Sequence, residues 1–238
     1  MGRVDAPDLT LRYDEHADGL VDLHLPSTAG PSVLLLHGGF WKQEYDRTYL
    51  YPMARALSEL GYVVATPEYR RTGGGGGWPA TCRDVDSVTA ALPGLCADLD
   101  VAWERPVAVG HSAGGHLALL LAGSKRPLAG VVGLGPVCDL RGALDLGLGS
   151  GAAAAFLDGT DPSAADPMDH PAPAGLRVEL VHGLHDEDVP IALSRTYARA
   201  HPSTVLTKLD CGHFEPITPG SIAWPAVVRA VASAARSG

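Results

Sequence analysis

Val107-Ala108-Val109-Gly110-His111-Ser112-Ala113-Gly114-Gly115-His116-Leu117-Ala118-Leu119-Leu120-Leu121-Ala122 is the stretch that decides the fold of this chain. It opens as a short apolar run, the mark of a strand buried on both faces. It then turns through small residues and continues as an apolar helix from about Gly114 to Ala122. Gly110-x-Ser112-x-Gly114 therefore sits at a strand–turn–helix junction. A serine on so sharp a turn needs a strained backbone, and the flanking glycines remove side chains that would collide there. The helix that follows aims the positive end of its dipole at the serine, where it favours developing negative charge. Ser112 is the candidate nucleophile, and the N–H of Ala113 a candidate donor to an oxyanion.

The same alternation extends in both directions. VLLLH (Val33–His37) and Tyr62–Thr66 read as buried strands, separated by a helical stretch, Tyr49–Leu60, that stops at Gly61. Before them, Leu9–Tyr13 and Val21–Leu25 flank the turn residues Ala17-Asp18-Gly19 and predict a hairpin. A helix starts near Pro79, and Pro93 is expected to limit its far end. Beyond the serine come strands Ala129–Leu134, Val178–His182 and Thr204–Leu209, with helices beginning at Pro190 and running from about Ile222 to Ser237. A hairpin followed by repeated strand–helix units predicts an α/β fold: a mostly parallel sheet with an N-terminal antiparallel hairpin and helices on both faces. Residues 1–238 read as one domain. The one long connection, 139–170, reads as a small lid with a short helix near Ala152–Leu157.

Sheets of this kind carry their sites at the carboxyl ends of the strands, and the remaining motifs fall there. His37-Gly38-Gly39-Phe40-Trp41 follows the first buried strand and lets backbone N–H groups face a substrate oxygen. Gly183-Leu184-His185-Asp186-Glu187-Asp188-Val189-Pro190 follows another, and Cys211-Gly212-His213-Phe214 follows the last. An imidazole titrates near neutrality, so His213 can take the serine proton and return it to a leaving group. A carboxylate orients that imidazole and stabilises its charged form. Asp186 and Asp188 share one loop and the same chemistry; Asp188 has the local alternative of complementing the helix that starts at Pro190.

HGGFW resembles the His-Gly-Gly-x-Trp motif of arylformamidases and related bacterial esterases of the α/β-hydrolase superfamily. Glu68-Tyr69-Arg70, Pro79 to Asp84-Val85 and Pro136-Val137-Cys138-Asp139-Leu140 extend the likeness less specifically. The resemblance implies an α/β-hydrolase fold, backbone oxyanion donors at Gly39 and Phe40, and a Ser112–His213–Asp186 triad. The chain order Ser, Asp, His is that of this superfamily. Gly73–Gly77 departs from it, and without a following Lys-Ser/Thr this run reads as a flexible surface loop rather than a phosphate cradle. Trp41, Trp78 and Phe214 are candidate pocket aromatics, as Phe40 and Tyr69 are.

Composition narrows the partners. The formal net charge of −9 opposes nucleic acid and anionic membranes. The apolar run Leu117–Ala122 is too short to span a bilayer. Met1 onward carries no apolar leader, and Ala6 breaks the myristoylation pattern. Cys82, Cys96, Cys138 and Cys211 are scattered, which suits a reducing compartment; the expectation is a soluble cytoplasmic protein. His111/His116 and His182/His185 lack metal-site spacing, so no metal and no cofactor is expected. The reading is a serine hydrolase of small carboxylic esters acting through an acyl-enzyme. The alternatives are an arylformamidase with the same triad and a non-catalytic binding protein on the same fold.

Overall fold

The protein is described by a computed structural model covering residues 5–236. Met1–Val4, where the absence of a leader was read, and Ser237, the expected end of the last helix, lie outside the described residues. In chain order the elements are β1 (Leu9–Arg12), β2 (Leu20–His24), β3 (Ser32–Leu36), α1 (Tyr51–Glu59), β4 (Val63–Pro67), α2 (Ala80–Ala97), β5 (Val107–His111) and α3 (Ala113–Ala122). They continue with β6 (Gly130–Leu134), α4 (Leu140–Asp145), α5 (Leu148–Leu157), β7 (Arg177–Gly183), α6 (Ala192–Ala200), β8 (Val205–Leu209) and α7 (Trp224–Ala235).

The eight strands form one sheet in the order β1-β2-β4-β3-β5-β6-β7-β8. The pairs β1–β2 and β2–β4 are antiparallel, and every later pair is parallel. The central strands are buried on both faces, and the period of two divides their side chains between two cores. Val33, Leu35, Val107 and Val109 meet Met53 and Leu57 of α1 and Val227 and Val231 of α7. Leu34, Leu36 and Ala108 meet Val88 and Leu92 of α2 and Leu117 of α3. Register brings the carboxyl ends into line: Leu36 pairs with Gly110, His111 with Leu134, Leu134 with Val181, and Gly183 with Leu209. The loops after β3, β5, β6, β7 and β8 therefore open on one edge. No described helix is long and apolar enough to cross a membrane.

Two expectations are corrected. Pro93 does not end α2, which runs through it to Ala97. Its ring lies on the exposed side, while Leu92 and Cys96 beside it are fully buried. Their burial outweighs the hydrogen bond lost at the proline. The run Gly73–Gly77 is a structured turn, with the N–H groups of Gly74 and Gly76 both bonded to the Arg71 carbonyl, at 2.8 and 2.9 Å.

The segment 139–170 folds as α4, α5 and a 3₁₀ turn at Pro162–Ala164. Within α5, Gly149, Ser150 and Gly151 are left-handed, so the right-handed helix starts at Ala152. The buried carboxylate of Asp166 joins the two ends of the segment. It accepts from the N–H groups of Leu140, Arg141 and Met168, each at 3.1 Å.

Candidate active site

The turn between β5 and α3 holds Ser112 at φ 56°, ψ −119°. That region costs an L-residue about 1–2 kcal/mol and persists only where the surroundings impose it. They do so here. The Ser112 N–H donates to Leu134 O at 2.9 Å, and its carbonyl accepts from Gly115 and Val137 at 3.0 and 3.2 Å. The two motif glycines are required by close approach rather than flexibility. A Cβ on Gly110 would lie 2.1 Å from Gly114 O, and one on Gly114 would lie 2.2 Å from Leu36 O.

His213 follows β8 and is fixed from both sides. Leu184 N–H bonds Leu209 O at 2.7 Å and His185 N–H bonds Cys211 O at 3.0 Å, so the loops after β7 and β8 are laced together. His213 Nδ1 lies 2.6 Å from Asp186 Oδ2. An ionised carboxylate only accepts, so Nδ1 carries the proton and Nε2 is left as the basic nitrogen. Asp186 Oδ1 accepts from the N–H groups of Asp188 and Val189 at 3.1 and 2.7 Å. His182 Nε2, which donates to Val189 O at 2.8 Å, also comes within 3.3 Å of Asp186 Oδ2. Burial opposes ionisation of Asp186, but the hydrogen bonds from His182 and His213 outweigh it and hold its carboxyl well below the usual carboxylate range. Asp188 is exposed, its side chain facing the cavity beside Ser112. Of the two carboxylates, Asp186 is the one that touches the imidazole.

The loop after β3 supplies the third part. Gly39, Phe40 and Trp41 are consecutive left-handed residues, at φ 93°, 51° and 56°. His37 Nδ1 lies 2.9 Å from Gly38 O, and its Nε2 lies 2.8 Å from Glu68 Oε1. In a trans peptide the C=O and the following N–H point in opposite directions. Holding the Gly38 carbonyl therefore also orients the Gly39 N–H. Ala113 opens α3, and its N–H is one of those a helix leaves without an internal acceptor.

Ser112, His213, Gly39 and Phe40 share one cavity of about 500 Å³, closed by Tyr45, Tyr49, Pro52, Phe214 and Ile217. Of the expected pocket aromatics, Phe40 and Phe214 line it. Trp41, 1% exposed, turns inward and stacks on Phe156 at 4.7 Å with its edge toward His116. Trp78 borders a different cavity of about 320 Å³, with Arg83 and Asp86. Both placements correct the sequence expectation: Trp41 follows two left-handed residues with its ring in the core, and Trp78 packs partly buried against that core. Tyr69 is also fully buried, its ring stacked on His37. Tyr45 and Tyr49 were missed, because an aromatic after the β3 turn looks the same in sequence whether it faces the core or the site.

Among the described residues, one group of three metal-ligating side chains comes within 4.8 Å: Asp186, Asp188 and His213. A carboxylate offers about four lone-pair directions. Asp186 already has four N–H groups within reach: Asp188, Val189, His213 and His182. The donor set fits a hydrogen-bonded acid rather than a cation site.

The fold is the α/β-hydrolase fold, shared with solved bacterial esterases. Residues 21–130 match the family model BD-FAE. An alignment of 143 residues is 32% identical to the non-reducing polyketide synthase Preu3 of Preussia isomera, covering 52% of this chain and 5% of the synthase. The chain thus spans about a twentieth of the length of that curated relative. A truncated carbohydrate esterase from gut microbiota superposes with a TM-score of 0.83 at 15% identity, over 97% of this chain and 98% of that one. Thermogutta terrifontis esterase 2, phosphoramylated by tabun, does so with a TM-score of 0.75 at 19% identity, over 94% and 92%. Esterase B from Lactobacillus rhamnosis, solved with a C4-C4 tributyrin phosphonate, gives 0.76 at 20% identity, over 98% and 86%.

Proposed function

We propose that this protein is a serine hydrolase of small carboxylic esters, with Ser112 as nucleophile, His213 as general base and Asp186 as its orienting acid. The observation that carries the reading is the 2.6 Å contact between His213 Nδ1 and Asp186 Oδ2, beside a strained serine on the same cavity wall. In this mechanism His213 Nε2 takes the Ser112 proton as Oγ attacks the ester carbon. The N–H groups of Ala113, Gly39 and Phe40 receive the oxyanion. His213 then gives the proton to the departing alcohol, and water repeats the sequence on the acyl-enzyme. Asp186 stays ionised throughout, which its hydrogen bonds favour.

The cavity suits a compact acyl group with an aryl leaving group, because Phe40, Tyr45 and Phe214 offer flat apolar faces. The short-chain phosphonate held by esterase B supports the same class. Beyond about four acyl carbons, surplus methylenes would protrude instead of each gaining roughly 0.8 kcal/mol by burial. HGGFW favours a second reading, cleavage of N-formyl aryl amines by the same residues.

The test is labelling with a fluorophosphonate and turnover of p-nitrophenyl esters from acetate to palmitate beside formanilides. We expect one labelled site at Ser112, a kcat loss on the order of 10⁶ in Ser112→Ala, and a maximum at acetate or butyrate. No labelling, or full activity in Ser112→Ala, sinks the serine mechanism. A maximum at decanoate or beyond sinks the short-acyl cavity. A formanilide preferred tenfold over acetate makes the second reading the right one.

A further inference from the structure

Two side chains at the site have no part in the triad, yet lie between its loops. Tyr49 belongs to the 3₁₀ turn Arg47–Leu50 ahead of α1, and His111 is the last residue of β5, next to Ser112. Tyr49 Oη lies 2.6 Å from Gly38 N and 3.0 Å from His111 Nδ1. His111 Nε2 lies 3.1 Å from the backbone carbonyl of His213.

Donor and acceptor rules allow one assignment of the protons. A backbone carbonyl only accepts, so His111 Nε2 carries a hydrogen. A backbone N–H only donates, so Tyr49 Oη accepts from Gly38. The tyrosine hydroxyl is then free to donate to a bare His111 Nδ1. Burial, followed by the neighbouring His213, pushes the His111 pKa down to about 3, in keeping with this neutral ring. Each group donates once in the same direction, from Gly38 N–H through Tyr49 and His111 to His213 C=O. Such a chain is satisfied as a whole or left with buried unpaired atoms.

The ends of the chain are informative. Gly38 is the residue before the proposed oxyanion donor Gly39, and His213 is the proposed base. The His111 ring also lies against the His213 ring, with centroids 4.5 Å apart. We infer that Tyr49 and His111 are positioning residues that set the distance between the oxyanion loop and the general base across the nucleophile. The inference rests on the serine-hydrolase reading above. Neither side chain needs to touch the reacting atoms; the pair holds two loops whose spacing must match a tetrahedral intermediate.

The test uses the whole protein and p-nitrophenyl acetate, with kcat counted per fluorophosphonate-reactive site. Tyr49→Phe keeps the ring and deletes the hydroxyl, stranding Gly38 N–H and His111 Nδ1. A displacement of about 1 Å at a reacting centre costs on the order of 10²-fold. We expect kcat to fall roughly 10- to 100-fold with KM changed less than about threefold, since the loss is in the transition state. The inhibition constant of an aryl boronic acid, which forms a tetrahedral adduct, should weaken in step. A purely structural role would lower the labelled fraction and the melting temperature without moving kcat per labelled site.

His111→Gln can still accept from Tyr49 and donate to His213, and should recover at least about tenfold over His111→Leu. The double variant Tyr49→Phe/His111→Leu should be no worse than the poorer single one, as expected of one unit. If His111→Leu does not fold, Tyr49→Phe and His111→Gln still decide the matter. An active, labelled wild type with Tyr49→Phe within twofold of it in kcat and boronate affinity overturns this inference alone. A wild type that neither labels nor turns over esters overturns the serine-hydrolase reading and this inference with it.

Discussion

Replacing Gly135 with alanine isolates the acid–imidazole pair without touching either member. Gly135 follows β6 at φ 51°, with its N–H bonded to Val181 O at 2.9 Å. An added Cβ would lie 3.0 Å from Asp186 Oδ2 and 3.1 Å from His213 Nδ1, a few tenths of an ångström inside ordinary contact. Asp186 cannot easily retreat, because its other oxygen is held by the Asp188 and Val189 N–H groups. The imidazole must give instead. Scaling from about 10²-fold per ångström, a shift of a few tenths predicts a kcat loss of roughly 3- to 10-fold with KM little changed. Left-handed backbone adds about 1–2 kcal/mol of strain for alanine. At about 2–4 °C per kcal/mol for a chain of this size, the melting temperature should drop roughly 2–8 °C. Steady-state kinetics on p-nitrophenyl acetate and a thermal melt read the two effects separately. A variant with wild-type kcat and a lowered melting temperature would show that the pair has room to move. One with an unchanged melting temperature would refute the left-handed assignment as well.

Two further outcomes follow from the same geometry. Asp186→Asn should lower kcat by roughly 10⁴ through the wrong imidazole tautomer, while Asp188→Asn should cost no more than about tenfold because a helix-end charge is worth ~1 kcal/mol; kcat of the two variants ranked the other way would move the orienting role to Asp188. Burial lowers the His111 pKa to about 3 and the His116 pKa to about 4, below the 6.5 of a free imidazole. The unfolded chain therefore binds protons that the native state refuses, so their contribution is complete above pH 6.5 and is lost as pH falls toward 4. Unfolding free energy should decline by up to about 1.4 kcal/mol per pH unit for each histidine. Urea titrations at pH 7 and pH 5 measure it, and a His116→Leu variant with an undiminished slope would contradict the assignment.

Much of the architecture was legible because its signals are local. A buried strand needs an unbroken apolar run, and Val107–Gly110 and Val33–Leu36 have one; a strand that reverses into a helix at the strained Ser112 needs Gly110 and Gly114, and the chain has both. The turn after β3 was visible for the same reason, since the bend at Gly38-Gly39 is a property of those residues themselves. The order of Ser112, Asp186 and His213, each in a loop that follows a strand, needed no coordinates either. What remained depended on where separate loops land once the sheet register is set. Asp186 and Asp188 are two residues apart and chemically alike, and only the direction of the turn after β7 puts one against His213 and the other at the cavity edge. Trp41 and Phe214 are equally aromatic, yet one fills the core and the other faces the site. Pro93 has the same local preference in any helix, and the burial of its neighbours overrules it. The contact between Tyr49 and His111 joins residues 62 apart, and that from His111 to His213 spans 102. Periodicity and turn chemistry report each residue's own backbone preference, whereas contacts across such separations arise only when β3, β5, β6, β7 and β8 align their carboxyl ends in one sheet.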